Sequence, residues 1–167
     1  MLWNVEEGAA DVYLAVREPD YYVNGHVTET LWSVWPTWES WNWRGWEGKD
    51  IEAEIYTKAP KVRLYLNDKL IAERDVNIDT QYKAVIKLPY EPGTLKAVSV
   101  DANGKEMAES TLRTSSEPAT IRLTPDRKLI NADGQDLAFI MVDVVDKDGN
   151  IVADADIPVT VSVKGRA

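Results

Sequence analysis

The chain has no cysteine. Disulfides, thiolate metal sites and cysteine nucleophiles are therefore excluded, although the absence does not decide the compartment. It has one histidine, His26. A zinc site of the usual type needs more His or some Cys. A Ser-His-Asp triad would depend on that one imidazole, and no nucleophile-elbow motif accompanies it. His26 follows Asn24-Gly25, a turn signal, and is expected to be an exposed turn residue. No apolar run approaches the roughly 18 residues of a membrane helix. There is no basic excess: 19 Lys and Arg face 28 Asp and Glu, for a net charge of −9. Residues 1–50 carry 3 basic and 9 acidic groups, residues 51–113 carry 10 of each, and residues 114–167 carry 6 and 9. No stretch is suited to neutralising phosphates, so neither nucleic acid nor an anionic membrane surface is expected as a partner. Met1–Glu7 has no basic region and no apolar core, and is not read as a signal peptide. No Asn-x-Ser/Thr sequon occurs.

Aromatic residues are scarce where a core would need them. There is one Phe, and all seven Trp lie between Trp3 and Trp46, leaving 121 residues with none. A uniform core would not produce that skew. Overall the chain is 44% hydrophobic and 28% charged, ordinary for a globular protein and wrong for disorder.

From Ile51 onward the pattern has the period of half-buried strands. Ile51, Ala53 and Ile55 alternate with Glu52, Glu54 and Tyr56, and Val62, Leu64 and Leu66 alternate with Lys61, Arg63 and Tyr65. Asn67-Asp68 separates the second set from Lys69–Ala72. Both turn residues tolerate positive φ, so a tight hairpin is expected. Tyr82, Ala84, Ile86 and Leu88 form the next set, stopped by Pro89-Tyr90-Glu91-Pro92-Gly93. Leu95–Val100 follows, then the Asn103-Gly104 turn and a strand over Lys105–Thr114. Strands at this spacing indicate an antiparallel sandwich. Thr114-Ser115-Ser116-Glu117-Pro118 reads as a linker. Beyond it, strands are expected at Ala119–Leu123, Ala138–Val145 and Ile157–Val163. A sandwich of this class needs about seven strands and roughly 100 residues. Three or four strands would leave an open edge and an uncovered apolar face, so truncation at the C-terminus, or packing on another body, is expected. Upstream, Glu6–Arg17 fits a short helix with Ala9, Val12 and Val16 on one face, and Asp11–Val16 equally fits a strand.

The run Trp32-Ser-Val-Trp35-Pro-Thr-Trp38-Glu-Ser-Trp41-Asn-Trp43-Arg-Gly-Trp46-Glu-Gly48 has the strongest character. Pro36, Gly45 and Gly48 prevent a long helix. Flat indole faces match the C–H faces of pyranose rings, and large aromatics also plug sandwich ends and cover interfaces. Trp35, Trp38, Trp41, Trp43 and Trp46 are accordingly candidates for carbohydrate contact or for a domain interface. Glu29, Glu39 and Glu47 are the nearest carboxylates. Glycoside hydrolysis needs two such groups across a cleft, and nothing in the sequence pairs these. Asp143–Asn150 superficially matches a calcium loop. Aligning Gly149 with the loop glycine puts Val144 at the first ligand position and leaves no closing Glu, so a hairpin turn is expected instead.

Several of these segments resemble a known family. Trp41-Asn42-Trp43-x-Gly45-x-Glu47-Gly48-Lys49, Ile51–Thr57, Val62-x-Leu64-Tyr65-Leu66-Asn67 and Leu88-Pro89-Tyr90-Glu91-Pro92-Gly93-Thr94-Leu95-Lys96-Ala97-Val98 resemble, in order and spacing, a β-sandwich domain of family-two glycoside hydrolases, the β-galactosidase group. Pro118-Ala119-x-Ile121-x-Leu123, Ile130-x-Ala132-Asp133-Gly134-x-Asp136-Leu137 and Val142–Asn150 resemble the start of the next immunoglobulin-like domain in the same enzymes. The resemblance covers roughly residues 30–163. Ser40 stands where the family commonly has a His before Trp-Asn-Trp, and Asn67-Asp68-Lys69-Leu70-Ile71-Ala72 replaces its Asn-Gly-Lys-Ser-Leu-Gly hairpin.

The resemblance implies an all-β chain: an immunoglobulin-like antiparallel β-sandwich followed by an incomplete second one. Residues 1–29 would be a lead-in or the tail of a preceding domain, 30–114 the sandwich and 115–167 the partial second domain. The family's two catalytic glutamates lie in a barrel, and a barrel alone needs about 250 residues. This chain would thus be a non-catalytic accessory fragment whose parent is a retaining glycoside hydrolase. Its expected partners are that barrel and an oligosaccharide, with no cofactor and no metal. Export to the periplasm or cell exterior is what a polysaccharide-degrading parent implies. The rival readings are a free-standing carbohydrate-binding module using a Trp platform, and an adhesion or spacer domain whose Trp cluster is core.

Overall fold

The computed structural model describes residues 11–22, 25, 26, 28, 30, 31, 34–131, 133–162 and 164. Trp3, Glu29, Trp32, Met1–Glu7 and the N-terminal part of the helical alternative lie outside the described residues. The chain divides into two compact units at Thr114/Ser115.

Unit 1 is a sandwich of two four-stranded antiparallel sheets. One sheet contains β1 (Val12–Arg17), β2 (Thr37–Trp38), β3 (Asp50–Thr57) and β6 (Lys83–Pro89), in the order β2-β1-β3-β6. The other contains β4 (Lys61–Leu66), β5 (Lys69–Asp75), β7 (Thr94–Val100) and β8 (Glu106–Arg113), in the order β5-β4-β7-β8. The period-two pattern places Leu14, Val16, Ile51, Ala53, Ile55, Ala84, Ile86 and Leu88 on one inner face, and Val62, Leu64, Leu66, Leu95 and Ala97 on the other. These residues form one core cluster.

The β4–β5 connection is the expected hairpin. Asn67 and Asp68 have φ of 49° and 63°, the double left-handed geometry that matches strand twist. The Asn67 side chain also ties that hairpin to the β6–β7 turn. Its Oδ1 accepts from the Thr94 amide at 2.9 Å and its Nδ2 donates to the Pro92 carbonyl at 3.2 Å.

In unit 1, three expectations change. The near-even alternative at the N-terminus resolves to a strand, because β1 finds a ladder partner: Val12 to Val16 register against Thr57 to Ala53 of β3. The sandwich therefore begins well before residue 30. Residues placed in a lead-in form a central strand whose Leu14 and Val16 the core requires. Tyr82 lies in the turn before β6, with φ of 56°, rather than in the strand.

Unit 2 pairs β9 (Thr120–Pro125) with β10 (Ile140–Val145) as an antiparallel ribbon. The strand expected at Ile157–Val163 is absent among the described residues: 157–162 join no ladder, and alternating residues alone do not make a strand without one. Val145 and Val152 are buried, while Leu123, Phe139, Ile140 and Met141 stand exposed, as half a sandwich predicts. Asp146 anchors the turn that follows β10. Its Oδ1 accepts from the amides of Asp148 (2.9 Å) and Asn150 (2.8 Å), and its Oδ2 accepts from the Ser116 amide (2.9 Å) and the Asn150 side chain (3.1 Å). The Ser116 amide hydrogen bond is the largest influence on its carboxyl. With the Asn150 and Asp148 donors it outweighs burial and holds the group far below the usual carboxylate range. The calcium-like segment is thus an Asp-capped turn whose acid is satisfied by its own backbone.

Candidate functional site

The five candidate tryptophans separate into two groups. Trp41 and Trp43 are core, 0% and 4% exposed. Trp41 meets the Tyr90 ring edge-on at 4.9 Å and donates its indole N–H to the Glu91 carbonyl at 3.0 Å. The Tyr90 hydroxyl donates to the Trp41 carbonyl and accepts from the Trp43 amide, both at 3.2 Å. The Thr114 hydroxyl donates to the same Trp41 carbonyl at 2.8 Å and accepts from the Gly93 amide at 3.0 Å. Trp-Asn-Trp and Pro-Tyr-Glu-Pro-Gly, about fifty residues apart in sequence, therefore close one end of the sandwich as a single plug. A saccharide platform cannot include these two indoles.

Trp35, Trp38 and Trp46 remain at the surface. Trp35 and Trp46 are half-buried and Trp38 is 52% exposed. Each has its N–H committed to the protein. Glu18 holds two of them: its carbonyl accepts from Trp35 Nε1 at 2.8 Å and its Oε2 from Trp38 Nε1 at 3.0 Å. The Asp50 carbonyl accepts from Trp46 Nε1 at 2.9 Å. Lys49 Nζ lies 4.4 Å from the centre of the Trp46 ring, and Tyr22 meets Trp46 nearly edge-on at 6.0 Å. These rings are fixed by hydrogen bonds at their edges.

Trp35 and Trp46 line one cleft of about 370 Å³, within the range of about 300–1,000 Å³ typical of small-ligand sites. Its other walls are Arg17, Glu18, Pro19 and Asp20 at the end of β1, Asp50, Ile51 and Glu52 at the start of β3, and Lys87 of β6. Pro19 lies two residues beyond the end of β1 and has no N–H with which to continue a ladder. Arg17 pairs with Glu52 at 2.8 Å and Lys87 with Asp50 at 3.0 Å. Trp38 is not among the lining residues.

Along the outer face of the same sheet, Arg17 also reaches Glu54, which is only 2% exposed. Lys83 pairs with Glu54 at 2.8 Å and the Tyr56 hydroxyl donates to it. Burial alone would raise the Glu54 carboxyl. Hydrogen bonds from Lys83, Tyr56 and Arg17 together outweigh it, and the net shift is downward. Burial first, and then the bond to Glu54, push the Tyr56 phenol well above its usual range. Sequence reasoning missed this cluster, because Glu54 sits at a polar position of an alternating strand and reads as surface.

The carboxylates singled out beside the tryptophans do not converge. Glu39 accepts from the Tyr13 hydroxyl at 2.9 Å, and Glu47 accepts from the Gly45 amide at 3.2 Å. His26 is exposed, with Nδ1 2.7 Å from Asp20.

Comparison with known proteins places this geometry in context. Residues 121–167 match the model for glycoside hydrolase family 2 C-terminal domain 5, and residues 48–108 match a domain of unknown function, DUF4982. The chain is 40% identical over 110 residues to beta-galactosidase BoGH2A of Bacteroides ovatus, covering 66% of this chain and 13% of that protein. It is 28% identical over 127 residues to a beta-galactosidase of Thermoanaerobacter pseudethanolicus, covering 66% of this chain and 17% of that one. A solved glycosyl hydrolase family 2 member from Bacteroides cellulosilyticus aligns with a TM-score of 0.73 at 32% identity, over 86% of this chain and 19% of that structure. The chain thus spans 13% and 17% of the length of the two curated relatives.

Proposed function

We propose, from a chain that in sequence and fold is like the C-terminal β-sandwich region of family-two glycoside hydrolases, that it serves as a non-catalytic accessory part of such an enzyme. The parent would be a β-galactosidase-like hydrolase. The sandwich would brace its catalytic barrel, and the surface indoles would contribute to glycan contact.

One observation carries the reading. Every ladder among the described residues is antiparallel, whereas the barrel that holds the family's catalytic glutamates is built from parallel strands. The role left to such a chain is mechanical and recognitive. The hydrogen bonds joining Trp41, Tyr90 and Thr114 tie distant segments of unit 1 together, which supports a role in holding surface groups beside them in place against a neighbouring body.

The test compares the 167-residue chain with its full-length parent on an aryl β-galactoside. The parent is expected to hydrolyse it and the isolated chain to leave it intact. Turnover by the purified chain above a buffer blank would refute the accessory reading.

A further inference from the structure

We infer that the cleft between Trp35 and Trp46 binds an uncharged saccharide segment. The inference deepens the accessory reading above and rests on it for the source of the ligand, the glycan that the parent processes.

Three features of the cleft specify that chemistry. First, both indoles are pinned through their N–H groups, Trp35 to the Glu18 carbonyl and Trp46 to the Asp50 carbonyl. Their N–H edges are spent and Lys49 Nζ lies over one face of the Trp46 ring, so what they offer a ligand is the apolar surface of Trp35 and the other face of Trp46, the complement of a pyranose C–H face. Because the rings are held before any ligand arrives, little side-chain freedom is lost on binding.

Second, the polar lining both accepts and donates. Asp50 and Glu52 supply carboxylates and Arg17 and Lys87 supply N–H groups, while the Glu18 and Asp20 carboxylates, also in the lining, are already engaged by Trp38 and His26. A sugar hydroxyl is one donor and two acceptors on a single atom, and a ring of neighbouring hydroxyls needs both kinds of partner. The Arg17–Glu52 and Lys87–Asp50 pairs leave lone pairs on each carboxylate, so a hydroxyl can join a pair without breaking it.

Third, the charges select against anions. Four acids and two bases line the cleft. A uronic acid would bring a further negative charge into a site already in negative excess, at a cost in affinity that grows as salt falls. A neutral sugar carries no such cost.

The experiment titrates the full 167-residue chain with β-1,4-galactotriose, and separately with trigalacturonate at low salt, following Trp fluorescence and heat of binding. Saturable binding of galactotriose is expected, with trigalacturonate weaker. Trp35→Ala and Trp46→Ala should each weaken galactotriose about ten-fold or more, as loss of a rigid aromatic anchor does. Lys87→Met, at an exposed position, should weaken it by a smaller factor with the urea midpoint unchanged. It keeps the test decisive if either Trp variant fails to fold. Absence of saturable galactotriose binding would overturn the proposal. So would binding undiminished by both Trp variants, the result if the indoles only pack against the rest of the parent, or tighter binding of trigalacturonate. Failure here leaves the accessory reading standing, whereas hydrolysis by the isolated chain would remove that reading and leave the cleft's binding intact.

Discussion

Replacing Trp41 by Ala should be far more damaging than replacing Trp38, although both belong to one aromatic run. Trp41 is fully buried, packs edge-on against Tyr90 and donates to the Glu91 carbonyl. Truncating a fully buried Trp costs about 3–5 kcal/mol, from lost apolar transfer and the cavity left behind. Losing the indole hydrogen bond contributes about 1 kcal/mol to that range. Trp38 is half exposed on a two-residue edge strand, and its indole bonds to the Glu18 carboxylate at the surface. Its truncation should cost about 0.5–1 kcal/mol. Urea unfolding followed by Trp-selective fluorescence measures both. Every Trp precedes residue 47, so all the fluorophores belong to unit 1. With a urea slope of about 2 kcal/mol per molar, Trp41→Ala should lower the midpoint by about 2 M and Trp38→Ala by less than about 0.5 M. Equal shifts, or a Trp41→Ala midpoint within about 0.5 M of the parent sequence, would show that the plug does not hold the sandwich together.

Three further outcomes follow from the outer sheet face and the turn beside the plug. Glu54→Gln should destabilise unit 1 by about 1–3 kcal/mol, because Arg17 and Lys83 lose a buried counter-charge while retaining partial contact with water. The folded Glu54 carboxyl lies below its unfolded value. Its contribution is therefore complete above about pH 4.3 and lost as pH falls through the folded pKa, so acid midpoints should decline more steeply in the parent sequence than in Glu54→Gln. Tyr56 has the opposite sign: its phenol is raised in the folded state. Its contribution is complete below about pH 10 and lost as pH rises through the folded pKa, so Tyr56→Phe should flatten the alkaline loss of stability seen in urea midpoints. Gly93→Ala should destabilise by about 1–3 kcal/mol, because φ is +138° and an added Cβ would collide with the Asn67 side chain that bridges the two turns. An unchanged midpoint would mean the turns move apart freely.

Much of the strand content was legible because half-buried strands write a period of two into the chain. The alternations at Ile51–Tyr56 and Lys61–Leu66 gave the inner faces directly, and Asn67-Asp68 gave the hairpin. Val12–Arg17 was not decidable. Six residues with Leu14, Ala15 and Val16 in succession fit a helix turn as well as a strand, and only pairing with β3 selects between them. The tryptophan run was legible as a site but not as two sites. Neither hydrophobicity nor spacing along the run separates Trp41 and Trp43 from Trp35 and Trp46. Tyr90 and Thr114, about fifty and seventy residues away, draw the first pair inward.

By itself, the sequence determined the period-two strands, their turns, the acidic balance and the resemblance to family-two glycoside hydrolases, since each of these is a property of residues close together or of residue order. The tertiary structure decided which indoles are core and which face the cleft. It also decided that Glu54, at a polar strand position, is buried, and that β1 belongs to the sandwich. Each of these depends on which distant segments meet, and side-chain burial is set by the partner across the gap rather than by the residue's neighbours in the chain.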